Sequence, residues 1–125
     1  MAAKMREDYF YICTRGVENK IVAEKRTGYS EGDIGLHKSR NSNGEDIWIA
    51  THIPTGLRLM SLESEKLSKT RQRALKEAKK ILEENSGRIE KHMKTEQYEA
   101  FRKSRYEQTV ITLHGKKISE ILEGG

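Results

Sequence analysis

The stretch Ile47-Trp48-Ile49-Ala50-Thr51-His52-Ile53-Pro54-Thr55-Gly56-Leu57-Arg58-Leu59-Met60-Ser61-Leu62 decides how this chain folds. Its first seven residues are rich in β-branched and aromatic side chains, the mark of a strand. Pro54 is the only proline of the chain. At the second place of Ile53-Pro54-Thr55-Gly56 it presets φ for a tight reversal, and Gly56 accepts the sterically awkward last place. Residues 57–62 then read as the returning strand. From Ser64 onward the period changes, with Leu67, Ala74, Leu75, Ala78, Ile81 and Leu82 on one face of a helix and charges on the other. Ser64 is the expected N-cap, and Asn85-Ser86-Gly87 the expected end.

Upstream, Tyr9-Phe10-Tyr11-Ile12-Cys13-Thr14 and Asn19-Lys20-Ile21-Val22-Ala23-Glu24-Lys25, joined by Arg15-Gly16-Val17-Glu18, predict a hairpin. Between it and the proline turn, the residues from Thr27 to Asp46 hold four glycines and show no periodicity. They read as a long loop, and such loops tend to be either functional or disordered. Downstream, Thr95 to Tyr106 predicts a second amphipathic helix carrying Tyr98, Phe101, Arg102 and Arg105. Val110 to His114 is a short strand candidate, and a final helical turn or two holds Ile118, Ile121 and Leu122. Residues 86–125 thus form a mostly helical extension. The expected architecture is α+β over 1–125 as one domain: a small, mostly antiparallel sheet with a long basic helix packed on it.

At 125 residues the chain suits one core, burying about two thirds of its unfolded surface. A formal charge of +5 with 34% charged residues predicts a large solvated surface. No apolar run approaches the roughly 18 residues of a membrane span, and Met1 to Asp8 lacks the apolar segment of a secretory signal, so no membrane partner is expected. Cys13 is the only cysteine, which rules out an internal disulfide and a cysteine-cluster metal site and suits a reducing, cytoplasmic setting. His37, His52, His92 and His114 lack metal-ligand spacing. Neither metal nor cofactor is expected.

Charge is concentrated between Ser64 and Lys80, where seven basic and two acidic residues leave +5, the formal charge of the whole chain. Concentrated cations favour phosphate contacts that weaken with salt; a solvated helix face with internal ion pairs is the plainer alternative. In the long loop, Lys38 and Arg40 are outnumbered by Glu31, Asp33, Glu45 and Asp46, which leaves the segment slightly acidic and works against close approach to RNA. His37 could move a proton, since an imidazole titrates at about pH 6.5, but the sequence sets no partner beside it. Trp48, between Ile47 and Ile49, reads as a sheet-face residue rather than a base-stacking platform.

From about Ile21 to about Leu82 the chain resembles the peptidyl-tRNA-hydrolase domain of class I peptide-chain release factors and their small ribosome-rescue relatives. Thr51-His52-Ile53-Pro54-Thr55-Gly56 matches the family's Thr-His-Ile-Pro-Thr-Gly residue for residue, and Arg71-Gln72-Arg73-Ala74-Leu75 stands where the family has its basic then Ala-Leu segment. The family's Ser-Gly-Ala-Gly-Gly-Gln-His loop is replaced by Tyr29-Ser30-Glu31-Gly32-Asp33-Ile34-Gly35-Leu36-His37, and its Arg-Ser-Gln by Glu65-Lys66-Leu67.

The resemblance implies a release-factor-like fold whose hairpin is built by His52, Pro54, Thr55 and Gly56. It implies docking on ribosomal RNA and peptidyl-tRNA through Lys38, Arg40, Lys66, Lys69, Arg71, Arg73 and Lys76. Gly35, Leu36 and His37 take the place of the catalytic Gly-Gly-Gln, so hydrolysis of peptidyl-tRNA in termination or rescue would rest on a backbone N–H there. The other reading is a non-catalytic ribosome- or RNA-binding protein or regulator, of the kind stand-alone members supply in bacteria, organelles and phages. An acidic protein partner is a third. A monomer is expected. On this basis Gly56→Val should damage folding, and Leu36→Ala, in the loop, should not.

Overall fold

The computed structural model describes residues 5–60 and 68–108. Five strands, β1 (Arg6–Arg15), β2 (Ile21–Glu31), β3 (Ile34–Arg40), β4 (Asp46–His52) and β5 (Leu57–Arg58), form one antiparallel sheet in chain order. Three helices follow: α1 (Arg71–Glu84), α2 (Ser86–His92) and α3 over 96–108. The class is therefore α+β, with an antiparallel sheet and the basic helix packed on it.

Both hairpins expected from β-branched and aromatic content are present. The long loop is not. β2 continues to Glu31, the chain reverses at Gly32-Asp33 with Gly32 at φ +58°, and β3 returns from Ile34 to Arg40. Ile34 and Leu36 point into a core with Ala50, Leu59, Ala74, Leu75 and Ala78, which is the face α1 covers. Gly35 and His37, on the opposite face, are buried as well. A strand buried on both sides loses the polar alternation by which strands are recognised.

The sheet curls strongly. β1 and β2 pair along ten residues, whereas β2 meets β3 only at Tyr29, Ser30 and Glu31 before the two diverge. Gly28 makes that crossing possible, because a Cβ there would collide with the carbonyl oxygen of Leu36. The curl carries the β1–β2 arm round to the far edge, where the Cys13 N–H donates to the Gly56 carbonyl at 2.9 Å. α3 clamps the arm: Ser104 Oγ accepts from the Ala23 N–H at 2.9 Å, and Gln108 Nε2 donates to the Ala23 carbonyl. Phe101, fully buried, sits against Gly56.

Several boundaries move. α1 begins at Arg71 under a Thr70 cap whose Oγ1 accepts from the Arg73 N–H at 3.2 Å. The expected cap Ser64 lies outside the described residues, as do Lys66, Leu67 and the C-terminal strand and helical turns beyond 108. Asn85 ends α1, but Ser86 and Gly87 start α2 instead of terminating the helical run. β5 spans two residues, extended by one further bond from the Leu59 N–H to the Ala50 carbonyl at 2.8 Å. Among the described residues no helix is long and apolar enough to cross a membrane.

Candidate nucleic-acid interface

The proline turn is an internal staple. The His52 carbonyl accepts from the N–H groups of Thr55 at 3.2 Å and Gly56 at 2.7 Å, so the reversal closes one residue earlier than the expected Ile53 start. Gly56 holds φ +68°, which suits glycine. Thr55 Oγ1 accepts from the Leu57 N–H and lies 2.8 Å from His52 Nδ1. Arg105 Nη1 donates to the carbonyls of Ile53 and Pro54. Burial holds the His52 imidazole below its ordinary pKa, while Asp33 pulls the other way. His52 and Thr55 are buried and face no open site.

Gly35, Leu36 and His37 do not form an exposed tip. They occupy β3, where Leu36 stands between Tyr29 and Ala50 with 0% of its surface exposed. Gly35 lies under the Phe10 ring. His37 is 9% exposed, and its Nδ1 has no hydrogen-bond partner among the described residues. Burial first, then Arg26 and Arg58, lowers its pKa, so it is held neutral and reluctant to accept a proton. The expected reactive loop is corrected to a core strand, since a group that must meet an ester on another molecule cannot be sealed inside its own sheet.

The cations are differently placed. Lys38 and Arg40 both reach Asp46, at 3.6 and 3.5 Å, and Lys69 reaches Glu45 at 2.9 Å. The Lys69 hydrogen bond, with Asn41 assisting, lowers the Glu45 pKa. Lys69 precedes α1 and is not part of it. Arg71 lies over the Tyr29 ring at 3.9 Å and reaches Trp48 at 5.8 Å, and the two rings meet edge-on at 5.9 Å. Arg73 and Lys76 are exposed and have no ion-pair partner among the described residues.

Within α1, five basic and three acidic residues leave only +2, because Glu83 and Glu84 lie inside the helix and Lys69 outside it. What distinguishes α1 is the order of its charges. Its first turn contains no acid and its last no base, the reverse of what the helix dipole favours. Arg71, Arg73 and Lys76 therefore add to the positive end of the dipole, and the acids gather at its negative end. Local arrangements that run against stability tend to mark function.

Among the described residues no group of His, Cys, Asp and Glu is placed to hold a metal ion. No protein-family model, curated protein or solved structure matches this chain.

Proposed function

We propose that this protein binds structured RNA, ribosomal or tRNA-like, through the positive pole of α1, and does so without hydrolysing peptidyl-tRNA. The carrying observation is the reversed charge order of α1, which stacks Arg71, Arg73 and Lys76 on the dipole's positive end. Helix N-termini with added cations are suited to phosphate. The likeness to release factors supports the same reading, since in that family the helix after the Thr-His-Ile-Pro-Thr-Gly hairpin lies against ribosomal RNA. A monomer acting on ribosomes in the cytoplasm is the setting this implies. The burial of Leu36 and His37 favours the non-catalytic form over a hydrolase.

The test is co-sedimentation with ribosomes across increasing salt. Wild-type protein should pellet at low salt and be released steeply. Arg73→Glu with Lys76→Glu should remove about two phosphate contacts and flatten the salt slope by about 2. An unchanged pellet would overturn the α1 interface. Peptide release from loaded ribosomes above the uncatalysed rate would overturn the non-catalytic assignment.

A further inference from the structure

Two clefts on the outer surface share a wall. One, of about 650 Å³, is lined by Tyr9, Tyr29, Trp48 and Lys38 above Gly28. The other, of about 550 Å³, is lined by Tyr9, Tyr11, Tyr106, Arg102 and Lys103. The first lies where β2, on the N-terminal side of Tyr29, is not paired with β3. The second lies where α3 meets β1. Tyr9 separates the two and contributes to both.

The chain has five tyrosines and one tryptophan. Four of those tyrosines and the tryptophan line this pair of clefts; the fifth, Tyr98, is buried elsewhere. Tyr9 is 55% exposed and Tyr106 70%, a poor use of aromatic surface for stability alone. Cations alternate with the rings. Lys25 Nζ sits 4.4 Å over Tyr9, and Arg71 sits over Tyr29 and near Trp48. Lys38 borders the first cleft, and Arg102 and Lys103 border the second.

We infer that this aromatic and cationic track binds single-stranded nucleic acid, with unstacked bases seated against Tyr9, Tyr106 and the exposed edge of Trp48. It adjoins the α1 pole, with which it shares Arg71, and extends from there across Tyr9 to Tyr106. Rings with interleaved cations are the means by which proteins hold single strands without reading sequence, every base offering a π-face and every linkage a phosphate. A duplex fits poorly. Its bases are stacked inside, and the acids that also border the clefts, Glu7, Asp8 and Glu99, oppose its denser phosphates. Asp8 and Glu99 are partly engaged already, by the Ser30 hydroxyl and by Arg102. Stacking therefore dominates, and the salt dependence is shallower than at the α1 pole.

Trp48 is the only tryptophan, so its fluorescence reports the first cleft directly. The full chain is titrated with single strands of about eight nucleotides, oligo(U) or oligo(dT), and with an RNA duplex. Both single strands should quench Trp48 and the duplex should not; a preference for oligo(U) would identify RNA as the source. Tyr9→Ala and Tyr106→Ser, both at exposed sites, should keep the wild-type melting temperature and each weaken binding about 5- to 150-fold. Tyr106→Phe should restore it. Absence of quenching, or affinity indifferent to both tyrosine variants, overturns the track. If ribosome pelleting that depends on Arg73 and Lys76 persists in that case, the α1 reading stands alone. If pelleting is absent while tyrosine-dependent quenching persists, the track stands and the α1 reading falls.

Discussion

Leu36→Ala separates a reactive loop from a core strand. Leu36 has no exposed surface, and its cluster includes Ala50, Ala74 and Ala78. Those alanines carry no side chain long enough to reach into the space vacated, and Ile34, Leu59 and Leu75 of the same cluster fill it only in part, so a cavity remains. The cost should fall in the upper part of the range for buried Leu→Ala, about 3–5 kcal/mol. Against a total stability of about 5–15 kcal/mol, that lowers the melting temperature by about 10–20 °C for a chain of this size. Far-ultraviolet circular dichroism melts, with urea titrations to show an unchanged m, measure it. Leu36→Met, which keeps the volume, should cost less than about 1.5 kcal/mol. An alanine variant that melts with the wild type would place this side chain outside the core and return β3 to a loop, against its pairing with Tyr29 and Ala50.

Gly56→Val should lower the melting temperature by about 8–20 °C, from left-handed strain of about 1–2 kcal/mol and overpacking of about 1–3 kcal/mol. The cause is local: Gly56 holds φ +68°, and a Cβ there would lie 2.5 Å from the Phe101 ring. Melting equal to wild type would contradict the turn geometry. Stability should also fall in acid. His37 and His52 both have folded pKa values below the ordinary 6.5. As pH drops through about 6.5 the unfolded chain takes up protons first, so each histidine removes up to about 1.4 kcal/mol per pH unit until its folded form titrates. Urea unfolding at stepped pH measures this, and His37→Gln should flatten the slope by one proton. A stability curve flat across that window would show that neither imidazole is held neutral by the fold.

The hairpins are legible because the β-branched and aromatic side chains of residues 9–14 and 47–53 and a lone proline leave few alternatives. β3 is not. Gly28 and Gly35 look like loop residues, yet each stands where another group passes too close for a side chain, Leu36 O in one case and the Phe10 ring in the other. Both are consequences of the curl, which no local pattern records. The start of α1 falls at Thr70, not Ser64; both residue types cap helices, and neither is followed by a Glu or Gln three residues on to single it out. Two of the five rings of the aromatic track carry a signal: Tyr9 and Tyr11, two apart on a strand, share a face. Tyr29, Trp48 and Tyr106 come from β2, β4 and α3, and only the tertiary fold brings them beside Tyr9.

Burial of the catalytic-tip positions and exposure of the cations bear on one question, where this chain can meet another molecule. Lys38, Arg40 and Lys69 are exposed and pair with the exposed Asp46 and Glu45. Exposed pairs of this kind stabilise by roughly 0–1 kcal/mol, so a phosphate can replace the carboxylate at little cost. On the proposed RNA contact these cations would be a reserve of positive charge, freed as phosphate displaces the carboxylates. Arg71 differs, because its guanidinium is already fixed over Tyr29 and less ordering entropy remains to be lost on binding. A strand interior offers neither property. On the proposed reading, contact with RNA falls to Arg71, its neighbouring rings and the first turns of α1, since Gly35, Leu36 and His37 are buried inside β3.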